Sequence, residues 1–129
     1  MRSYHAFLVI FLSFLIGVAY ATTSKKNSDL APRNKWQAYI SKNLNSAFCH
    51  DGGYFRTCFP IDIKECSTTV KKLSKFCLSS MRLPDQIDMN QHGIYFGSKI
   101  GYCVGQKLEL NLNHRKVNNP KCVDPRKWL

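Results

Sequence analysis

The stretch GIYFGSKIGYCVGQKLELNL, residues 93–112, decides the fold because it repeats glycine at four-residue steps within an apolar pattern. On a helical wheel of about 100° per residue, one arc of this stretch is apolar. Its members are Phe96, Ile100, Cys103, Val104 and Leu108. Gly97, Gly101 and Gly105 form a band beside that arc. The pattern therefore predicts a long amphipathic helix with one smooth flank, whose buried part ends near Leu108.

The glycine band predicts a close helix contact. Each interior glycine destabilises a helix by roughly 1 kcal/mol relative to alanine, so several together need an offsetting gain. We expect that gain from the close approach of another backbone, because small residues at this spacing let helices touch. The charged residues Lys99, Lys107 and Glu109 exclude a bilayer span. An alternative places the first two glycines in a loop and begins the helix later.

The first 21 residues are typical of a secretory signal peptide. Arg2 gives a positive start, AFLVIFLSFLIGVAY is an uncharged apolar core, and Ala19-Tyr20-Ala21 fits the small-x-small cleavage rule. The apolar run is shorter than the roughly 20 residues of a membrane span, although an uncleaved anchor is the alternative. Cleavage would leave a polar, flexible leader at residues 22–31 and one domain at 32–129. We expect a secreted or periplasmic protein with no integral membrane segment.

All six cysteines follow residue 21, and an even number after a signal peptide predicts three disulfides. A zinc site is the competing interpretation, but there is no C-x-x-C pair and the histidines lack ligand-like spacing. We therefore expect no metal and no cofactor. The predicted fold is all-α, a small disulfide-stapled bundle of about three main helices.

Two further helices precede the glycine-rich one. The first follows Pro32, covers roughly residues 33–48 and turns its aromatic side chains inward. The second opens with Asp62 and Glu65 at capping-box spacing. Its predicted buried stripe consists of Ile63, Cys66, Val70, Leu73, Phe76, Cys77 and Met81. A short aromatic piece lies between the two helices, and residues 85–92 form a polar connector before the third.

The disulfide pairing follows from the helix geometry. Cys66 and Cys77 are separated by about 16 Å along one helix, so they cannot bond to each other. If the second and third helices are antiparallel neighbours, Cys103 lies nearly level with Cys66. The predicted pairs are Cys49–Cys58, Cys66–Cys103 and Cys77–Cys122. The alternative for the central bond is Cys77–Cys103.

The chain is strongly basic, with a formal net charge of +11, which becomes +10 when Arg2 is removed with the signal peptide. Such a charge favours anionic partners such as lipid headgroups, nucleic acid or polysaccharide. The candidate contact patch on the second helix is formed by Lys64, Lys71, Lys72 and Lys75. The competing interpretations are simple solubility and an ordinary solvated helix face. The oligomeric state stays open.

The cysteine frame resembles a group of known sequences. It runs through Cys49, Tyr54-Phe55-Arg56, Cys58-Phe59, Cys66, Cys77, Ile100-Gly101-Tyr102-Cys103 and Cys122. This order resembles small exported six-cysteine proteins predicted in Gram-negative bacteria, mostly uncharacterised, some of which are thought to leave by type II secretion and act on host cells. The resemblance implies a disulfide-stapled helical domain and lends no catalytic residues. The candidate partners are an anionic surface and a host protein.

The sequence offers few groups for catalysis. It has no G-x-S-x-G motif, no phosphate-binding glycine loop and no obvious carboxylate pair. Cys49-His50-Asp51 is similar to the His-Asp pair of secreted phospholipases A2. The glycine-rich calcium loop of that family precedes the pair, whereas the vaguely similar segment of this chain, residues 100–105, follows it. A ribonuclease would need two histidines, which His50, His92 and His114 can supply. The first hypothesis is therefore a non-enzymatic binding protein, and the second is a small hydrolase using His50 and Asp51.

Overall fold

The computed structural model of the protein describes residues 29–128, so the predicted signal peptide and residues 22–28 of the predicted leader lie outside it. The elements are β1 (Leu30–Pro32), α1 (Arg33–Cys49), α2 (Tyr54–Cys58), α3 (Ile63–Ser79), β2 (Gln86–Asp88) and α4 (Ile94–Leu112). A π-helical turn at Met89–Gly93 precedes α4, and 3-10 turns follow at Asn113–Arg115, Pro120–Cys122 and Pro125–Trp128. Three long helices stapled by disulfides confirm the predicted fold class.

The start of α3 is fixed by its first residues. The Asp62 carboxylate accepts a hydrogen bond from the Glu65 backbone N–H at 2.7 Å, which satisfies one of the otherwise unpaired donors of the first helical turn. A full capping box would also require the Glu65 side chain to accept a hydrogen bond from the Asp62 backbone N–H, and it does not. Its carboxylate is bound instead by Arg115, which follows α4 in the chain.

Two sets of contacts define how the long helices run. Cys77 of α3 is bonded to Cys103 of α4, and Glu65 near the start of α3 meets Arg115 just beyond the end of α4. These two helices are therefore antiparallel. Gly97 of α4 faces Ile40 of α1, and the next two glycines face residues successively later in α1. Thus α1 and α4 are parallel.

The core lies between the three long helices and is closed by α2. Its largest fully buried side chains include Trp36, Phe59, Ile87, Ile100 and Leu108. None of the helices among residues 29–128 is both long enough and apolar enough to cross a bilayer.

Three predicted core positions are wrong. Tyr39, Ile63 and Phe76 are each more than half exposed. Tyr39 is one of the α1 aromatic residues that were expected to turn inward. Ile63 is the first residue of its helix, and Phe76 lies at the edge of the apolar stripe of α3. In the other direction, Leu112 is buried, so the buried face of α4 continues one turn beyond Leu108.

The predicted disulfide pairs are also wrong. The observed bonds are Cys49–Cys66, Cys58–Cys122 and Cys77–Cys103. The antiparallel arrangement of α3 and α4 is the one assumed for this pairing, but the register is shifted by about three turns, so Cys77 rather than Cys66 is level with Cys103. The alternative central bond is the one present. The other two bonds follow from α2, whose helical turn carries Cys58 away from Cys49 and towards the C-terminal tail.

A two-stranded antiparallel sheet lies where the leader and the polar connector were predicted. Ala31 of β1 pairs with Ile87 of β2, and the Met89 N–H donates to the Asp29 carbonyl at 2.9 Å. Ile87 is completely buried. Residues 29–31, which were predicted to belong to a flexible leader, are therefore held by backbone hydrogen bonds to β2 and to Met89.

Candidate functional site

All eight acidic residues of the chain lie in the described part, and each makes a hydrogen bond there. Five are in ion pairs, namely Asp51, Glu65, Asp85, Glu109 and Asp124. Asp62 caps α3, and Asp88 accepts from the backbone N–H groups of Asn90 and Gln91. Asp29 accepts from the Asn90 side chain. The negative charges are thus used to hold the fold together.

The basic residues divide by type. Ion pairs within residues 29–128 use Arg33, Arg56, Arg115, Lys116 and Arg126. The remaining lysines among residues 29–128 form no ion pair with a described residue. Arginine presents a planar fork that matches a carboxylate, whereas lysine is a strongly hydrated point charge. The arginines therefore serve mainly internal contacts, and the lysines supply the outward positive charge.

The four lysines of the predicted contact patch form what we call the lysine ridge: Lys64, Lys71, Lys72 and Lys75. All four are exposed, and at about 100° per residue they span an arc of roughly 100° on α3. That arc lies opposite the buried side chains of Cys66, Val70 and Cys77. The ridge is an unneutralised cationic face, and such clusters attract anions and raise their rate of encounter.

An open groove adjoins the ridge between α3 and α4. Its volume is about 270 Å³, and it is lined by Leu73, Phe76, Lys107, Leu110 and Asn111. The Lys107 ammonium lies 4.6 Å from the centre of the Phe76 ring, a cation–π distance. Phe76 is 54% exposed and Leu110 is 69% exposed. The groove is therefore an apolar strip bordered by positive charge.

The groove was not predicted from the sequence. Phe76 fits the apolar spacing of α3, and Leu110 directly follows Glu109, which lies on the polar side of α4. The position of Phe76 on the helical wheel of α3 could have indicated its exposure. Phe76 lies about 100° from Cys77, at the edge of the apolar stripe rather than at its centre. The Cys77–Cys103 bond lies beside the groove and ties the two helices together there.

The glycine band of α4 contacts side chains of α1. A Cβ atom added at Gly97 or Gly101 would lie 3.5 Å from Ile40 Cδ1 or 3.7 Å from Leu44 Cδ2, respectively. A Cβ atom at Gly105 would lie 3.3 Å from Phe48 Cζ. The flank therefore packs within the chain. It accommodates bulky side chains of α1 rather than the neighbouring backbone that the glycine spacing led us to expect.

His50 and Asp51 have separate partners. The His50 Nδ1 atom is 2.9 Å from the Ala47 carbonyl oxygen, and its ring lies where a side chain at Gly53 would be. The exposed Asp51 carboxylate accepts from Arg56 Nη2 at 3.0 Å. His50 therefore contacts the last turn of α1, whereas Asp51 is paired with Arg56 of α2.

A polar cluster that the sequence did not indicate joins α2, α4 and the tail. The Tyr54 hydroxyl donates to Glu109 Oε1 at 2.8 Å, and the Lys116 ammonium donates to the same oxygen at 2.9 Å. Burial would raise the pKa of Glu109, but these two hydrogen bonds lower it below its ordinary value. Burial also raises the pKa of Tyr54. The cluster binds the tail to the bundle beside the Cys58–Cys122 bond.

Two further findings bear on function. Within residues 29–128 there is no group of three or more His, Cys, Asp or Glu side chains that can hold a metal ion. No family model, curated protein or solved structure significantly matches the chain. The charge and shape of the described surface are therefore the features that bear on function.

Proposed function

We propose that this chain is a small exported binding protein whose lysine ridge attaches it to an anionic partner. The observation that carries the proposal is the division of charge. Every carboxylate in the described part is engaged internally, whereas Lys64, Lys71, Lys72 and Lys75 are exposed and make no ion pair there. A partner with negative charge can therefore approach α3 without displacing a contact of the fold.

Export to the periplasm or beyond is supported by the covalent chemistry. All six cysteines are in disulfides, which persist in oxidising compartments. The apolar start of the sequence supplies the export signal in this proposal, with cleavage after Ala21. The resemblance to six-cysteine exported proteins of Gram-negative bacteria supports the same route and makes a host surface a natural anionic partner.

The test is binding to a fluorescent heparin, used as a generic polyanion, measured by anisotropy at rising salt. Lys71→Glu combined with Lys75→Glu places two negative charges in the middle of the ridge. We expect the affinity at low salt to fall at least tenfold, because each lysine near an anionic surface contributes about 1 kcal/mol. Binding of the unmodified protein is expected to weaken steeply with salt, since bound anions release counterions.

A matched control changes the net charge equally elsewhere. Lys35→Glu with Lys42→Glu reverses two exposed lysines of α1. We expect this variant to lose much less affinity than the ridge variant. Equal losses would show that only the total charge matters, and salt-independent binding would rule out an electrostatic attachment. Circular dichroism and a mass measurement before and after reduction would verify that both variants keep the fold and its three bonds.

A further inference from the structure

We infer that the lysine ridge and the adjoining groove form one docking surface for an anionic lipid bilayer, with Phe76 and Leu110 entering the headgroup region. This inference rests on the proposed function and narrows its partner. Peripheral membrane binding combines buried apolar area with attraction to anionic lipids. The ridge supplies the attraction, and the groove, which adjoins the ridge at Lys72, supplies the apolar area.

The two parts are continuous on α3. Lys72 precedes Phe76 by one helical turn, so its charge lies beside the exposed ring. On α4, Lys107 precedes Leu110 by three residues and holds its ammonium over the same ring. Long lysine side chains can keep their charged ends in the headgroup layer while their methylenes follow apolar neighbours inwards. An apolar strip bordered by such lysines matches the boundary between lipid phosphates and acyl chains.

The exposed aromatic rings favour lipid over single-stranded nucleic acid. Nucleic-acid surfaces use aromatic faces on which bases stack. Here Lys107 lies over Phe76, and Lys99 lies over the exposed Tyr95 ring, each at 4.6 Å from the ring centre. One face of each ring is therefore covered by an ammonium group. The exposed apolar area of the groove is the rest of the Phe76 ring together with the Leu110 side chain, and this area suits a hydrocarbon boundary.

The apolar side chains of the groove also distinguish a lipid bilayer from a simple polyanion as the partner. A polysaccharide that bound only through charge would gain nothing from Leu110, whose side chain carries no polar group. A bilayer interface would gain the transfer of this leucine out of water, which for full burial is worth a tenfold change in affinity or more. The contribution of Leu110 is therefore the measurement that decides the question.

The experiment compares partition onto vesicles of phosphatidylglycerol and phosphatidylcholine with partition onto vesicles of phosphatidylcholine alone. Leu110→Gln removes the apolar side chain from an exposed helix position. Ile94→Gln is the matched control, because Ile94 is an aliphatic residue of α4 that is 78% exposed and does not line the groove. Heparin binding of each variant is measured in parallel.

We expect Leu110→Gln to weaken binding to the anionic vesicles about tenfold, at low and at high salt, and to leave heparin binding unchanged. Ile94→Gln is expected to alter neither. Lys71→Glu with Lys75→Glu is expected to weaken both, mainly at low salt, because salt screens charge and not apolar transfer.

Two outcomes would overturn the inference and leave the proposed function standing. One is equal vesicle binding by the native protein and Leu110→Gln. The other is salt-sensitive heparin or nucleic-acid binding without any binding to the anionic vesicles. Failure to bind vesicles and polyanions alike would overturn both proposals.

Discussion

Cys58 of α2 is bonded to Cys122 of the C-terminal tail, 64 residues later in the chain. The Val117 N–H also donates to the Cys58 carbonyl at 2.9 Å. The segment after α4 therefore returns across the bundle and covers α2, which has only five residues and is too short to be stable alone.

This connection predicts an order of stability among disulfide variants. Replacing Cys58 and Cys122 by alanine opens the longest of the loops, and chain entropy gives a loss of about 4 kcal/mol. Replacing Cys49 and Cys66, 17 residues apart, is expected to cost about 3 kcal/mol on the same basis. Guanidinium unfolding of both variants would measure the difference. The reverse order would contradict the claim that the tail bond contributes more.

The cap of α3 gives a second prediction. Asp62→Ala removes the acceptor for the Glu65 N–H and is expected to lower the free energy of unfolding by about 1 kcal/mol. Asp62→Asn keeps an acceptor and is expected to remain close to the native value. Thermal unfolding of the two variants tests this. Equal destabilisation would show that the charge at this helix end matters more than the hydrogen bond.

The contacts of the glycine band predict that alanine is tolerated unevenly. At Gly101 a methyl group meets Leu44 at an ordinary distance, so Gly101→Ala is expected to stabilise the protein by about 0.5–1 kcal/mol through helix propensity. At Gly105 the methyl group would press on the Phe48 ring, and we expect most of that gain to be lost. Chemical denaturation would compare the two. A large loss at Gly101 would imply a tighter helix contact than the one described.

The cluster around Glu109 predicts a pH dependence. Its pKa in the folded protein lies below the ordinary value of 4.5, so the unfolded chain takes up the proton first as the pH falls. The stabilising effect is therefore complete above about pH 4.5 and is lost as the pH decreases through the lower folded pKa. We expect Glu109→Gln to cost about 1 kcal/mol at pH 7.

The matching measurement is the free energy of unfolding of the native protein and of Glu109→Gln between pH 7 and pH 3. The gap between them is expected to shrink only in the acidic part of that range. A gap that is the same at every pH would mean that shape and packing at this position, rather than the carboxylate charge, stabilise the tail.

The features that local sequence determines could be predicted. The first helix was expected at about residues 33–48 and covers Arg33–Cys49, because apolar periodicity and a preceding proline define it. The start of α3 follows from Asp62, whose side-chain carboxylate accepts a hydrogen bond from the Glu65 backbone N–H. The four ridge lysines could be placed on one face because they recur on one side of a helix whose opposite side is apolar.

The features that depend on the register between helices or strands could not be predicted from the sequence. Whether Cys66 or Cys77 lies level with Cys103 depends on how far α3 and α4 slide along each other, and an apolar stripe permits several positions. The exposure of Phe76 depends on the same contact. The two short strands were missed because three residues carry no readable alternation, and β1 pairs with a segment more than fifty residues later in the chain.

The lysine ridge has a consequence for crowding. Two copies that met through the lysine ridge would bring four ammonium groups against four others, none of which is in an ion pair within residues 29–128. At physiological salt such repulsion acts over about 8 Å. Neighbours attached side by side to one anionic support would repel in the same way. The protein would therefore bind to such a support as separate single molecules. The distance between bound molecules would decrease as added salt screens the repulsion.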